Sequence, residues 1–122
     1  MVTVLLGLPG ANALQRRLSA TDGDIAAPHL IDAEVIHAVR RYVSAGHASA
    51  ERGAQATDDF TDLQLQRYPH VDLLDRVWTL RANLSAYDAI YVALAETLDV
   101  PLITADKRIA HAPGHRARVE VV

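Results

Sequence analysis

The chain of 122 residues contains no cysteine. It therefore has no disulfides and no thiolate zinc site, so any metal must be held by oxygen or imidazole. Oxygen is the better supplied ligand, with 15 Asp and Glu residues in the chain. Nor does any segment approach the roughly 20 uninterrupted apolar residues that cross a bilayer. Met1 to Leu8 lacks the basic start and the small-residue cleavage site of a signal peptide, which makes the cytoplasm the expected compartment, with no membrane contact. A glycine-rich loop of the GxxxxGK(S/T) kind and a nucleophile elbow are both absent, so nucleoside-triphosphate hydrolysis and serine-hydrolase chemistry have no basis here. Positive charge is not in excess: the formal net charge is -3. That argues against nucleic-acid binding by bulk attraction, while clusters such as Arg40 with Arg41, or His115, Arg116 and Arg118, can still contact phosphates. The six histidines, His29, His37, His47, His70, His111 and His115, show no paired spacing typical of zinc sites and read as surface or core residues.

What is present is apolar material for one core. Half of the residues are hydrophobic, and the length is about that of one domain. No repeat, low-complexity tract or linker divides the chain. Asn12 to Ser19 reads as a helix, and Pro28 suits the first turn of a second helix through Leu30, Ile31, Val35, Ala38, Val39 and Tyr42, stopped near Gly46. A third helix is predicted over Ala50 to Leu63 and a short strand over Leu65 to Tyr68. A fourth helix is predicted over Val71 to Ala82, with Leu74, Val77 and Trp78 inward. Ser85 then makes a good N-cap with Asp88 three positions on, and apolar residues on every side from Ala86 to Leu98 mark a helix buried nearly all round. Val100 to Thr104 is an apolar run suited to a central parallel strand, whereas Ala117 to Val122 alternates like a strand nearer an edge. Helices alternating with short strands predict an α/β sandwich.

Three acids stand out against this apolar background. Asp88 lies at the start of the buried helix and Asp106 lies two residues beyond Thr104, the last residue of the predicted strand. Glu34 falls three after Ile31 and four before Ala38, so it projects from the apolar arc of its helix. Burying an ionised carboxylate is costly unless a cation or hydrogen-bond donors compensate it. In open parallel α/β sheets the ligand crevice lies outside the carboxyl ends of the strands, where Asp106 is expected and where Asp88 and Glu34 can reach. Like charges so close raise one another's pKa, and Mg²⁺ or Mn²⁺ accepts hard carboxylate oxygens and reverses that penalty. Such a site suits metal-assisted phosphodiester hydrolysis. Each acid also has a structural reading: Asp88 as the acid of a capping box with Ser85, Glu34 as a partner of Arg41 or Lys107, and Asp106 as the N-cap of a turn leading to Ile109. Asp32 points away from the apolar face and reads as a solvated or capping acid.

The segments PHLIDAEVIHAVRR, RYPHVDLLDRVWTLRANLSAYDAIYVALAE and PLITADKRI, in that order and spacing, resemble VapC-type toxins of the PIN-domain ribonuclease family. The resemblance covers most of the chain from Pro28 onward. It implies a PIN-like three-layer α/β sandwich, with a mainly parallel central sheet flanked by helices. It implies that Glu34, Asp88 and Asp106 are the catalytic and metal-holding acids of a magnesium-dependent RNA-cleaving site, with Thr104 supporting the fourth acidic position. It also implies a cognate antitoxin as partner and a homodimer.

One departure is large. The family begins with a short buried strand ending in an aspartate, followed by a small residue and an apolar helix, whereas Val2 to Gly7 here resembles that helix already, and no acid precedes Asp22. Asp22 and Asp24 fall in a polar turn at the wrong end to replace the ligand. A central strand lost from the sheet leaves unpaired backbone groups, each costing about 1 to 3 kcal/mol, so the chain is expected to be destabilised or to rearrange. Losing one of four carboxylates is expected to weaken the metal site. The start of the coding sequence is expected to lie further upstream, a truncated or degenerate toxin being the other reading.

The function expected is a metal-dependent endoribonuclease, the toxin of a type II toxin-antitoxin system, in one PIN-like domain over residues 1–122. Glu34, Asp88 and Asp106 hold Mg²⁺ or Mn²⁺ and the attacking water, and Arg40, Arg81 or Arg116 touch RNA phosphates. The alternative is a catalytically impaired truncated toxin acting as an antitoxin-binding or dimerisation module. A phosphoacceptor receiver domain wants an early acidic pair and a mid-chain acceptor aspartate at a strand end, and neither is present.

Overall fold

Five short segments pair side by side in the computed structural model, which describes residues 3–6 and 24–122. They are β1 at Thr3–Leu6, β2 at Ile25–Pro28, β3 at Leu65–Tyr68, β4 at Leu102–Thr104 and β5 at Val119–Val121. Their order across the sheet is β3-β2-β1-β4-β5, and every pairing is parallel. Between them run helices α1 at Leu30–Ser44, α2 at Ala50–Asp62, α3 at Leu74–Thr79, α4 at Ala86–Leu98 and α5 at Lys107–His111. Helices flanking a parallel sheet are the expected α/β sandwich.

The centre of that sheet corrects one expectation. Thr3–Leu6, within the segment read as helix-like, is the middle strand: Val4 sits opposite Ala26 on one side and Leu102 on the other, and Leu6 opposite Thr104. A short apolar run cannot be assigned to helix or strand by periodicity alone. The context decides it, because a gap between β2 and β4 leaves two ladders of N–H and C=O groups unpaired, and an extended segment satisfies both. The rearrangement foreseen as the alternative to a vacant sheet is what the backbone adopts. The predicted helix at Asn12 to Ser19 lies outside the described residues, as does Asp22.

Two further corrections follow from packing. Pro28 does not open a helix but closes β2, whose Ala26 and Ala27 are fully buried, and α1 begins two residues later. A proline at the strand's last residue is compatible with its fixed φ, and the missing N–H is no loss at that point. The helix expected over Val71 to Ala82 is broken into a 3₁₀ turn at Val71–Leu73 and the short α3. Its inward face carries Leu73, Val77, Leu80 and Leu84, whereas Leu74 and Trp78 are 49% and 67% exposed. Both stripes are apolar at helical spacing, and the one that continues through Leu80 and Leu84 buries more surface. Trp78 instead carries the Arg81 guanidinium 4.3 Å from its ring centroid.

Helix α4 is the core element. Ala89 to Ala95 are all buried, matching the expectation of burial nearly all round. Ser85 caps it by accepting the Asp88 N–H at 3.1 Å. It contacts β1, β2 and β4, and small residues on both surfaces allow a close approach. Near its far end Glu96, with a side chain only 1% exposed, accepts Arg76 Nε at 2.8 Å, Arg76 Nη2 at 2.9 Å and the Arg116 N–H at 2.7 Å. This clamp ties α3, α4 and the C-terminal segment together.

Burial alone would raise the Glu96 pKa, but the Arg76 and Arg116 donors outweigh it and hold the group below its ordinary value. A depressed carboxylate stabilises the fold above its unfolded pKa and loses that contribution as pH falls through the folded one. Arg76→Met strands Glu96 without its charged partner. It should cost about 3 to 5 kcal/mol at pH 7 and distinctly less at pH 3, as urea unfolding at the two pH values will measure.

Candidate active site

In the sheet order, β2 and β3 lie to one side of β1, and β4 and β5 to the other. Such a switch point opens a crevice at the carboxyl ends of the strands. Three chain segments enter it. Helix α1 follows β2 directly and carries Glu34 in its second turn. The turn after β4 carries Asp106, and the capped first turn of α4 carries Asp88.

Each acid is half-buried, and each is compensated differently. Glu34 accepts a hydrogen bond from the Tyr91 hydroxyl, and not from Arg41 or Lys107. Tyr91 is 1% exposed and lies three residues beyond Asp88, so one face of α4 presents both groups. Burial pushes the Tyr91 phenol far above its ordinary range, helped by the bond to Glu34 and the charges of Glu34, Asp88 and Asp32. The phenol is therefore a neutral donor at any working pH.

Asp88 is held above its ordinary value of 3.8. Burial is the main cause, opposed by hydrogen bonding to Ser85; the charge of Asp106 raises it further and that of Arg108 lowers it. Asp106 is shifted the other way, by the Arg108 guanidinium and backbone N–H. Its carboxylate accepts Arg108 N at 2.9 Å, Nε at 3.0 Å and Nη2 at 2.7 Å, so it caps α5 as its structural reading foresaw. Its own N–H donates to Thr104 Oγ1 at 3.0 Å, and Thr104 is 1% exposed. Thr104 thus fixes the turn that delivers Asp106.

Asp32 departs from its expected role as a solvated or capping acid: it holds Arg67 through Nε and Nη2 at 2.9 and 2.8 Å. The arginines singled out in the sequence are placed elsewhere than the acids' immediate partners. Arg40 is exposed on α1. Arg81 stacks on Trp78 and donates to its carbonyl at 2.9 Å. Arg116 is drawn to Glu96, eight residues along α4 from Asp88, about 12 Å at the helical rise. Sequence reasoning passed over Arg108, whose charge acts on both Asp106 and Asp88. Its signal was position: two residues beyond a helix-capping acid, where the next turn folds the side chain back.

The donor set suits a hard divalent cation, being carboxylate and hydroxyl oxygens throughout. It is not assembled for one as it stands. Among the described residues no group of three or more His, Asp or Glu could hold a metal ion, and Arg108 takes both oxygens of Asp106. No acid in the sequence precedes Asp22, so the central strand brings none to the crevice.

The family model described as the PIN domain matches residues 1–114. Ribonuclease VapC1 of Mycobacterium tuberculosis is 46% identical over 114 residues, spanning 93% of this chain and 86% of the relative. Ribonuclease VapC12 of the same organism is 38% identical over 121 residues, 99% and 92% of the two chains. Among solved structures, a chain from the crystal structure of VapBC2 from Rickettsia felis bound to a DNA fragment from their promoter superposes with a TM-score of 0.71 at 16% identity, covering 99% and 98%. A chain of a toxin-antitoxin complex from Klebsiella pneumoniae gives 0.63 at 23% identity, covering 92% and 85%. At those identities the two structures establish the shared fold.

The opposite shifts of the two aspartates are measurable. In a ¹³C-detected pH titration of the carboxyl carbons, Asp88 should titrate above 3.8 and Asp106 below it. Arg108→Gln should move both midpoints upward, since Arg108 lowers each; an unmoved Asp106 would contradict the assigned pairing.

Proposed function

This chain belongs to the PIN-domain family, with VapC-type toxins as its relatives, and from that premise we propose that it is the endoribonuclease toxin of a type II toxin-antitoxin system. The observation that supports the reading is that α4 links the acids in pairs: Tyr91 donates to Glu34, and Asp88, one turn before it, feels the charge of Asp106. Their substrate is the RNA phosphodiester bond. Mg²⁺, or Mn²⁺ in its place, is the cofactor that Glu34, Asp88 and Asp106 would hold, and it would supply a water of lowered pKa and positive charge against the phosphate.

The protein's own groups do the positioning. Tyr91 fixes one carboxylate oxygen of Glu34. Ser85 holds the first turn of α4, so Asp88 enters at a set depth, where its carboxylate can accept a hydrogen bond from the attacking water. Thr104 sets the direction of the turn at Asp106. The same reading makes a cognate antitoxin the protein partner and a second copy of the chain the partner in a homodimer. The names of the relatives, ribonucleases and toxin-antitoxin complexes, support both the chemistry and the antitoxin.

Asp88→Asn keeps the size and the capped turn while removing the charge. Cleavage of a single-stranded RNA in the presence of Mg²⁺ should fall by about 100-fold or more, the scale on which such groups act, with far-UV circular dichroism unchanged. Wild-type protein that binds antitoxin yet cleaves nothing with Mg²⁺ would identify a binding module instead.

A further inference from the structure

Arg67, Arg76, Arg108 and Arg118 each hold a carboxylate, that of Asp32, Glu96, Asp106 and Asp99 in turn. Arg81 is held differently. Its guanidinium lies over the Trp78 ring, 4.3 Å from the centroid, and Nη1 donates to the Trp78 carbonyl at 2.9 Å, while no acid of the described residues pairs with it. The charge is fixed in place without being neutralised.

Trp78 is itself in an unusual position. It is the one tryptophan of the chain and is 67% exposed, although tryptophan is on average among the more buried residues. Val77, Leu80 and Leu84 fill the inward side of this segment, so the core does not call on the indole. Val71 and Leu74, seven and four positions earlier, are exposed as well and continue the same outer stripe.

We propose that Trp78 and Arg81 form a stacking site for an unpaired base of the RNA, which holds the strand beside the acids. This rests on the ribonuclease reading above.

Three observations converge on it. The first is chemical complementarity: single-stranded RNA presents flat bases joined by anionic phosphates, and an aromatic ring carrying a guanidinium answers both. The ring stacks on a base, and the unneutralised charge attracts the adjoining phosphate. An apolar protein surface laid on the same stripe would bury the Arg81 charge with nothing to offset it. The second is preorganisation, since ring and carbonyl hold the guanidinium at two points and little side-chain freedom is left to lose on binding. The third is place. The Leu84 N–H donates to the Leu80 carbonyl at 3.1 Å, which makes residues 80–84 one compact turn, and Ser85 caps α4 at the next residue. That turn, one peptide step and three helical residues keep the Cα atoms of Arg81 and Asp88 within about 15 Å of each other. A strand stacked on Trp78 therefore reaches Asp88 with its next nucleotides. Duplex RNA cannot use such a site, because its bases are already stacked.

As the only tryptophan, Trp78 reports on the site by its own fluorescence, and no metal is needed. Wild-type protein in EDTA is titrated with single-stranded octaadenylate, with an abasic strand of the same length and charge, and with an RNA duplex. The single strand should quench the emission saturably, and the other two should not. Trp78→Leu should weaken binding of dye-labelled octaadenylate about 10-fold or more, with Trp78→Phe in between. Arg81→Gln should lower the slope of log Kd against log salt by about one. Circular dichroism checks the fold of each variant. No quenching by the single strand overturns the stacking site, as does equal quenching by the abasic strand or the duplex, affinity that Trp78→Leu leaves unaltered, or a salt slope that Arg81→Gln leaves unaltered. Quenching that grows with protein concentration in the absence of RNA overturns it too, and gives the stripe to a second copy of the chain. Failure of the ribonuclease reading looks different: no cleavage by the wild type with Mg²⁺, or cleavage that Asp88→Asn leaves intact, whatever the quenching.

Discussion

A carboxylate set among apolar side chains must be given hydrogen bonds or positive charge, and this constraint organises the molecule. Four acids meet it in four ways. Glu34 takes the hydroxyl of Tyr91, Asp88 sits in the capped turn of Ser85, Asp106 takes the guanidinium of Arg108, and Glu96 takes Arg76 and the backbone of Arg116. The last is sealed from water and serves the fold. The first three lie toward the strand-end crevice; the raised pKa of Asp88 shows that its own compensation is partial, whereas Arg108 holds Asp106 below its ordinary value. An incompletely compensated acid at a switch point marks a candidate functional site.

The sheet and α4 make that incompleteness tolerable. Seven consecutive buried residues in α4, together with the buried Leu102, Ile103 and Thr104 of β4, anchor the two segments that carry Asp88 and Asp106. The charges sit at the ends of these elements, where helix and strand have already satisfied their backbone groups. The central position of β1 completes the platform by pairing β2 with β4 through a common neighbour. It does so without adding a carboxylate.

Much of the fold was legible because period and burial agree locally. Helix α2 and strand β3 lie where their patterns placed them, α4 is buried all round as its composition requires, and β5 is the edge strand its alternation suggested. The failures share one cause. Val2 to Gly7, Pro28 and the Leu74 to Trp78 stripe each satisfied a local rule, and each was decided by a neighbour distant in the chain. Strand against helix for Thr3–Leu6 depended on what β2 and β4 left unpaired, and the inward face of α3 on which stripe reached Leu80 and Leu84. Local patterns carry no information about such partners.

For the site, the sequence by itself determined which acids are out of place, because a carboxylate among apolar neighbours is visible from spacing alone. Glu34, Asp88 and Asp106 were picked out without coordinates, and so was the exclusion of thiolate from any metal site in a chain without cysteine. Only the tertiary structure decided what each acid answers to. Tyr91 meets Glu34 across 57 positions of sequence, and Arg67 meets Asp32 across 35. Arg108 turns back on Asp106 because the short α5 begins there. The spacing of charges along a chain sets what must be compensated. The folding of distant elements against one another sets which group does it, since Coulomb attraction and hydrogen bonds act over a few ångströms of space and not along the sequence.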